Sequence, residues 1–458
     1  MRPYRFQLVL FFCLLFLLQA SAATLYVSLN STNPVPPYAD WSTAATNIQD
    51  AIDASTNGDL ILVTNGVYQT GGRPDEYGRS NRVAVTKAVA VESVNGPGVT
   101  MIVGNGNAVT AYVRCVYLTN DAVLLGFTLT NGCPSPTPEG SSYGGGVRCA
   151  TSSSVLSNCV LTGNSAFAGG GGAYGGTLYS CLLIGNQNSG AYDSILNNCL
   201  VVSNSAGSMG GGTWGCTLTN CTVTRNTGGG VAAGYFNNCI IYYNDHNFDL
   251  NDKLVAYFNT CDTTPAPDPS IAYLVINVIT NEPLFVNTND FHLQSNSPCI
   301  NSGNNTLVVG ATDLDGNPRI VAGMVDIGAY EYQTPVSKIS YAWLEQYGLP
   351  INTNADTSDA DGDGLNNYQE WIAGTNPTNA LSVLAVLPPV PTNNPAGLVV
   401  GWQSVNNRTY FLQSSTNLGA QPAFSTIQSN IAGQTGTTSY TDTNDIGNGP
   451  FFYRVGVQ

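Results

Sequence analysis

Apolar residues in the middle of this chain recur at intervals that neither an amphipathic helix nor a lone hairpin produces. Cys159, Cys181, Cys199, Cys221, Cys239 and Cys261 follow one another at alternating steps of 22 and 18 residues. Asn164, Asn186, Asn204, Asn226 and Asn244 come five residues after the first five cysteines, and Gly172, Gly190, Gly212 and Gly230 stand nine residues before the next one. All variation in length therefore falls between Asn and Gly. Fixed spacing with one elastic turn is what stacked coils require, because each residue must lie over its counterpart about 4.8 Å away. Leu178, Leu196, Leu218 and Phe236 share one position, and Leu183, Val201, Val223 and Ile241 share another, two residues after each cysteine, as the strand period demands. We expect each set to form an inward column. The asparagines should form a ladder where strand meets turn, a place that suits left-handed backbone. Thiols piled in this way have parallel Cβ vectors, which oppose the dihedral of a disulfide, so free stacked thiols are expected.

Weaker versions of the coil run upstream through residues 100–103, 113–118 and 124–129, and residues 47–54 read as a short amphipathic helix ahead of the strand at 60–63. This start resembles the N-terminal cap and first coil of secreted right-handed parallel β-helix proteins of the pectate-lyase-like superfamily. The expected fold is thus all-β, a right-handed parallel β-helix over 23–333, with fifteen coils or fewer in a rod of about 60–70 Å. Its last part, Ser297-Pro298-Cys299-Ile300-Asn301-Ser302-Gly303, Asp313-Leu314-Asp315-Gly316-Asn317-Pro318-Arg319 and Val325-Asp326-Ile327-Gly328-Ala329-Tyr330-Glu331-Tyr332, resembles the bacterial choice-of-anchor Q family. That resemblance implies no catalytic activity. Arg319, Asp326 and Glu331 are expected to form a salt-bridged cap over the exposed sheet edge at the rod end.

Beyond the rod, residues 339–347 read as a helix, and Asp359-Ala360-Asp361-Gly362-Asp363-Gly364-Leu365-Asn366-Asn367-Tyr368-Gln369-Glu370 follows the pattern of a twelve-residue calcium loop. Ca²⁺ takes six to eight oxygen ligands, and the spacing offers the carboxylates of Asp359, Asp361 and Asp363, the carbonyl of Leu365, Asn367 directly or through water, and Glu370. The segment, with Gly374-Thr375-Asn376-Pro377 after it, resembles thrombospondin type 3-like and dockerin-like calcium modules. A single loop argues against cohesin docking and for a calcium-binding helix-loop-helix over 334–382 that stiffens a junction. From 383 to 458, alternating strands between turn-rich stretches predict a small fibronectin-III-like β-sandwich with Trp402 and Tyr453 in its core.

Composition narrows the partners. Only 9 % of residues are charged, against roughly 25 % in an ordinary globular chain, and the net charge is −15. With no basic stripe to displace counterions, nucleic acid is disfavoured as a partner. Arg2 and Arg5, an apolar run over 8–18 and Ala20-Ser21-Ala22 have the layout of a signal peptide over 1–22. We therefore expect a protein that is secreted, free or held at the cell surface, with no membrane span after cleavage. The cysteines number eleven without Cys13, an odd count.

Between residues 147 and 244 the acid is Asp193 alone, so the sharp coils offer no carboxylate pair for glycoside chemistry. Asp245, Asp249, Asp252 and Lys253 are weak catalytic candidates just beyond, and Asp75 and Glu76 with Arg73, Arg79 and Arg82 occupy a long early loop. Arg148, Tyr174, Tyr192 and Trp214, each two residues after the glycine of its coil, form an outward series suited to sugar rings. The expectation is a non-catalytic protein that binds polysaccharide or another surface component and carries a structural calcium ion. A polysaccharide lyase or glycoside hydrolase is the alternative.

Overall fold

The computed structural model describes residues 22–106, 111–119, 121–136, 142–207, 210–249, 255–393, 396–444 and 449–458. All but the last residue of the expected signal peptide lies outside this set. Three parallel ladders build a β-helix. The first joins Ser80–Val85, Arg114–Leu118, Val147–Cys149, Ala173–Tyr174, Ala191–Tyr192, the starts of Thr213–Thr219 and Val231–Asn237, and Phe248–Asp249. The second runs from Thr24–Val27 to Leu274–Ile276, and the third from Gly66–Tyr68 to Asp262–Thr263.

The repeat positions stack in register. Leu178 pairs with Leu196, Leu196 with Leu218 and Leu218 with Phe236 in the second ladder. Leu183, Val201, Val223 and Ile241 do the same in the third, and both columns are fully buried. Among the described residues the second ladder holds eleven strands from Leu25 to Val275, ten steps of about 4.8 Å, so the rod is about 50 Å long. That is shorter than the expected 60–70 Å. The residues beyond about 280 add no coil to it.

A left-handed residue turns the chain at each of three corners: Gly175, Asp193, Gly215 and Ala233 at one, Asn158, Ser180, Asn198, Asn220, Asn238 and Thr260 at the second, and Gly163, Gly185, Ser203, Arg225 and Tyr243 at the third. Gly and Asn tolerate this region best. The asparagine ladder is present, but its members directly follow the third corner and are not the left-handed residues, which corrects that part of the expectation. The amide nitrogen of Asn204 donates to Asn226 Oδ1 (3.0 Å) and Leu183 O (2.9 Å), while its own Oδ1 accepts from Asn186 N and Nδ2 (both 2.9 Å). The next coil's carbonyl and this ladder together explain the glycine series: a Cβ on Gly212 would lie 2.3 Å from Gly230 O. A Cβ on Gly190 would lie 2.9 Å from Asn204 Nδ2, and one on Gly212 3.0 Å from Asn226 Nδ2.

The six repeat cysteines follow the second corner, buried and free, and the remaining described cysteines are free as well. The thiols of Cys159, Cys181, Cys199 and Cys221 each lie 3.3 Å from the carbonyl oxygen two residues before them, as in Cys181 to Tyr179 O and Cys199 to Asn197 O. Helix α1 (Ile48–Ala54), capped by Asn47, closes the N-terminal end by burying Ile48, Ala51 and Ile52 against Leu25 and Ile61.

The motif-rich segment 297–332 straps the side of the rod, which corrects the expected end cap. Ala329 N donates to Thr222 Oγ1 (3.0 Å), Gly328 N to Asn238 O (2.9 Å), and Asn238 exchanges side-chain bonds with the backbone of Asn304 (2.8 and 3.0 Å). Leu200, Val202 and Ile240, on the outer side of the third ladder, are thereby buried. The salt bridges are replaced by backbone bonds. Asp326 accepts from Asn301 N and Tyr332 N, Glu331 from Val321 N and Asp326 N, and Arg319 donates to the carbonyls of Asp326 (3.0 Å) and Gly328 (2.6 Å). Burial raises both carboxyls above the ordinary range.

Helix α2 (Tyr341–Gln346) begins at Ser340, and α3 (Asn367–Ala373) begins with a capping box between Asn366 and Gln369 and ends at left-handed Gly374. Two three-stranded antiparallel sheets then form a sandwich, Val390–Asn393 with Ala396–Ser404 and Gly436–Asp442 facing Ser425–Ala432 with Thr409–Ser415 and Phe452–Val457. Trp402, Tyr410, Val400 and Leu412 fill it, with Tyr453 packed alongside.

Candidate functional site

Two places gather the chemistry. The first is the outward row of the first ladder, where Ala84, Tyr117, Arg148, Tyr174, Tyr192, Trp214, Ala232 and Asp249 sit one above another. The rings of Tyr174 and Tyr192 lie 5.9 Å apart at 27°, and those of Tyr192 and Trp214 6.2 Å apart at 19°. Their flat faces are thus turned largely toward each other, and the half-buried outer edges face solvent. Tyr143 joins the stack, 4.6 Å from Tyr174, and the guanidinium of Arg148 lies between Tyr77 (4.9 Å) and Tyr174 (5.4 Å). Neither Tyr77 nor Tyr143 was visible from the repeat, because both come from loops outside its register.

The early loop closes over the top of this row. Asp75 accepts from Tyr77 N (3.0 Å), Arg79 N (2.8 Å) and the fully buried Arg114 Nη1 (3.0 Å). Arg114 also donates to Gly144 O (2.6 Å) and Tyr143 O (3.1 Å), which fixes the loop carrying Tyr143. Burial brings its pKa down to about 10, so it stays charged at neutral pH. Glu76 receives the hydroxyl of Tyr117, and burial together with that carboxylate raises the phenol. Asp75 and Glu76 are therefore engaged, and Arg73 pairs with Asp53, at the edge of the loop.

The other catalytic candidates do not converge on the row as a set. Asp245 Oδ2 accepts from Gly228 N (3.0 Å), and Asp249 stands at the end of the row opposite Ala232. Asp252 and Lys253 lie outside the described residues. Asp193, whose carboxyl is raised by burial, occupies a left-handed corner position, where a short polar residue is tolerated.

The second place is the loop before α3. Carboxylate oxygens of Asp359, Asp361 and Asp363 lie within 4.8 Å of one another. Gly362 and Gly364 have φ of 79° and 97°, which the tight winding of the loop requires. Asp361 Oδ2, Asp363 Oδ2, Glu370 Oε2 and Asn367 Oδ1 are all buried without a hydrogen-bond partner. Glu370 is fully buried, and desolvation, with Asp361, Asp363 and Asp359 nearby, pushes its pKa up to about 7. Four buried oxygens without donors form a site whose charge is not balanced from inside the protein and suits a hard cation.

The model of the bacterial TSP3 repeat matches residues 359–380, so the loop belongs to a repeat of calcium-binding type. Among solved structures, the chain is similar to the pectate lyase Pel9A at 14 % identity over 68 % of this chain and 97 % of that one, with a TM-score of 0.44. It is also similar to a rhamnogalacturonan lyase (12 %, 65 % and 89 %, TM-score 0.40) and to a mutant pectin methylesterase in complex with a hexasaccharide (12 %, 57 % and 90 %, TM-score 0.30). No curated protein matches the sequence. The protein is a parallel β-helix with a TSP3-type loop and a β-sandwich after it. No described helix is long and apolar enough to cross a membrane.

Proposed function

We propose that this is a secreted or cell-surface, non-catalytic β-helix protein that binds polysaccharide through the outward row of its first ladder, with a structural calcium ion in loop 359–370. The observation that carries the binding reading is the aromatic column itself: Tyr143, Tyr174, Tyr192 and Trp214 with Arg148 form one continuous strip of ring edges, hydroxyls and guanidinium donors. With the ring faces turned toward one another, it is the edges and their phenolic hydroxyls that would meet a sugar, hydrogen-bonding to its hydroxyls. The engagement of Asp75 and Glu76 within the loop favours binding over acid–base chemistry.

Asp359, Asp361, Asp363, the Leu365 carbonyl, Asn367 and Glu370 would hold the calcium ion, and the unpartnered oxygens fit it. Calcium supplies the charge that lets these carboxylates stay ionised while buried. The Asn367 amide donates to Ala355 O (2.9 Å), which ties the loop to the segment after α2. The choice-of-anchor Q likeness of residues 297–332 is consistent with surface display.

Glycan-array binding with Tyr174→Ala, Tyr192→Ala and Trp214→Ala is the test, with a tenfold or greater loss expected. Assays for unsaturated products and new reducing ends on polysaccharides should stay blank. Turnover that disappears in Asp245→Asn or Asp249→Asn would replace this reading with the enzymatic one.

A further inference from the structure

A cleft of about 930 Å³ opens where the last coils, α2, α3 and the sandwich meet. Its size is that of a ligand site, about 300–1,000 Å³. Trp343 reaches it from α2 and Trp371 from α3; both pack on the core beneath, beside Tyr347 and Tyr368, and stay part exposed at the cleft. The side-chain amides of Asn277, Asn281, Gln346 and Asn407 line it, and none of them hydrogen-bonds to another described residue. A carboxamide donates and accepts at once, as adjacent hydroxyls on a sugar do, and an indole face takes the apolar side of a sugar ring.

Charge selects among sugars. The chain carries a net charge of −15, and Glu345 stands at the cleft. Arg408, the cation of the lining, spends Nε and Nη2 on the carbonyls of Ile372 (3.0 Å) and Trp371 (3.2 Å). An acidic glycan would meet repulsion here and little compensation. An uncharged one would meet neither.

The cleft is also connected to the calcium loop. Trp371 directly follows Glu370, the last residue of that loop, and Arg408 clamps the same turn of α3 to the sandwich. An ion held by Glu370 therefore fixes the helix that presents the indole. We infer that this cleft binds a neutral oligosaccharide and that calcium in loop 359–370 holds Trp371 in the binding position. The inference rests on the calcium part of the proposed function and is independent of the outward aromatic row.

Isothermal titration of the full chain with neutral cello-, xylo-, manno- and malto-hexasaccharides, with polygalacturonate as the acidic comparator, tests it. In calcium, at least one neutral series should bind and polygalacturonate should not compete. Trp343→Ala, Trp371→Ala and the double variant Asn281→Ala/Gln346→Ala should each weaken binding tenfold or more, and EGTA should do the same. The amide variant guards against misfolding, since Asn281 and Gln346 have ordinary backbone and bond to no other described side chain. Absence of binding by every neutral series, or binding untouched by these variants, overturns the inference. Binding lost only in Tyr192→Ala and Trp214→Ala would leave the outward row standing and remove the cleft. Affinity that falls in Trp371→Ala yet ignores EGTA would remove the calcium link.

Discussion

The asparagine ladder and the calcium loop are both buried polar arrays, and they solve the same desolvation problem in opposite ways. In the coils each ladder amide bonds to the next asparagine and to a strand carbonyl, so the array is closed by the protein alone. In loop 359–370 four buried oxygens find no donor, and burial with Asp361, Asp363 and Asp359 nearby raises the cost of ionising Glu370. A repeat can satisfy its polar groups with copies of itself. A single loop has no copies, and it needs an ion.

The largest effect expected from this contrast is in the ladder. Asn204→Ala would leave the Asn186 backbone N–H without its acceptor and Leu183 O without its amide donor, while Asn226 Oδ1 keeps the backbone N–H of residue 204, and at about 1–3 kcal/mol for each buried orphan the loss should be on the order of 4 kcal/mol. Denaturant unfolding followed by far-ultraviolet dichroism measures it. A loss below about 1 kcal/mol would mean that water enters the coil. Next comes the ion: calcium at a hundred times its dissociation constant should stabilise the 355–375 region by about 2.7 kcal/mol, and Glu370→Gln should abolish most of that gain. Differential scanning calorimetry with calcium and with EGTA reads both.

A smaller, signed effect follows from Glu370. In calcium-free protein its folded pKa, about 7, lies above the ordinary carboxylate value, so the folded state holds the extra proton between the two. Stability of the loop region should therefore fall as pH rises from about 5 to 7.5 without calcium, whereas calcium affinity should rise over the same range. Glu370→Gln should flatten the first trend. The smallest effect is in the thiol column: Cys199→Ala removes an acceptor for Cys181 N (3.4 Å) and a weak donor, at a cost of about 1 kcal/mol. Thiol labelling of the native protein, read by peptide mapping, should find Cys181, Cys199 and Cys221 unreactive, because burial raises them well above the ordinary thiol range.

Features written as repetition were legible before any coordinates. The Cys, Leu and Asn columns follow from spacing because every coil repeats the same constraint, and the calcium loop follows from oxygen ligands at fixed offsets. Position within the turn was less legible: the asparagines looked suited to left-handed backbone, yet Gly163, Gly185, Ser203, Arg225 and Tyr243 just before them carry it. Side-chain bonding along the axis, and not local conformation, is what selects Asn there. The strap was misplaced for a related reason. Arg319, Asp326 and Glu331 suggest ion pairs by type, but whether a carboxylate meets an arginine or a row of backbone amides depends on the path of the loop. Tyr77, Tyr143 and the amides of the junction cleft come from unrelated segments and have no shared period.

Hydrogen exchange of the full chain with calcium and with EGTA compares the two arrays in one experiment. The account predicts that calcium adds protection to residues 355–375 and to the strand that follows Arg408, while the amides of Asn164 through Asn244 exchange at the same slow rate in both conditions. Coils that loosen when calcium is removed, or a loop 359–370 whose exchange ignores the ion, would contradict it.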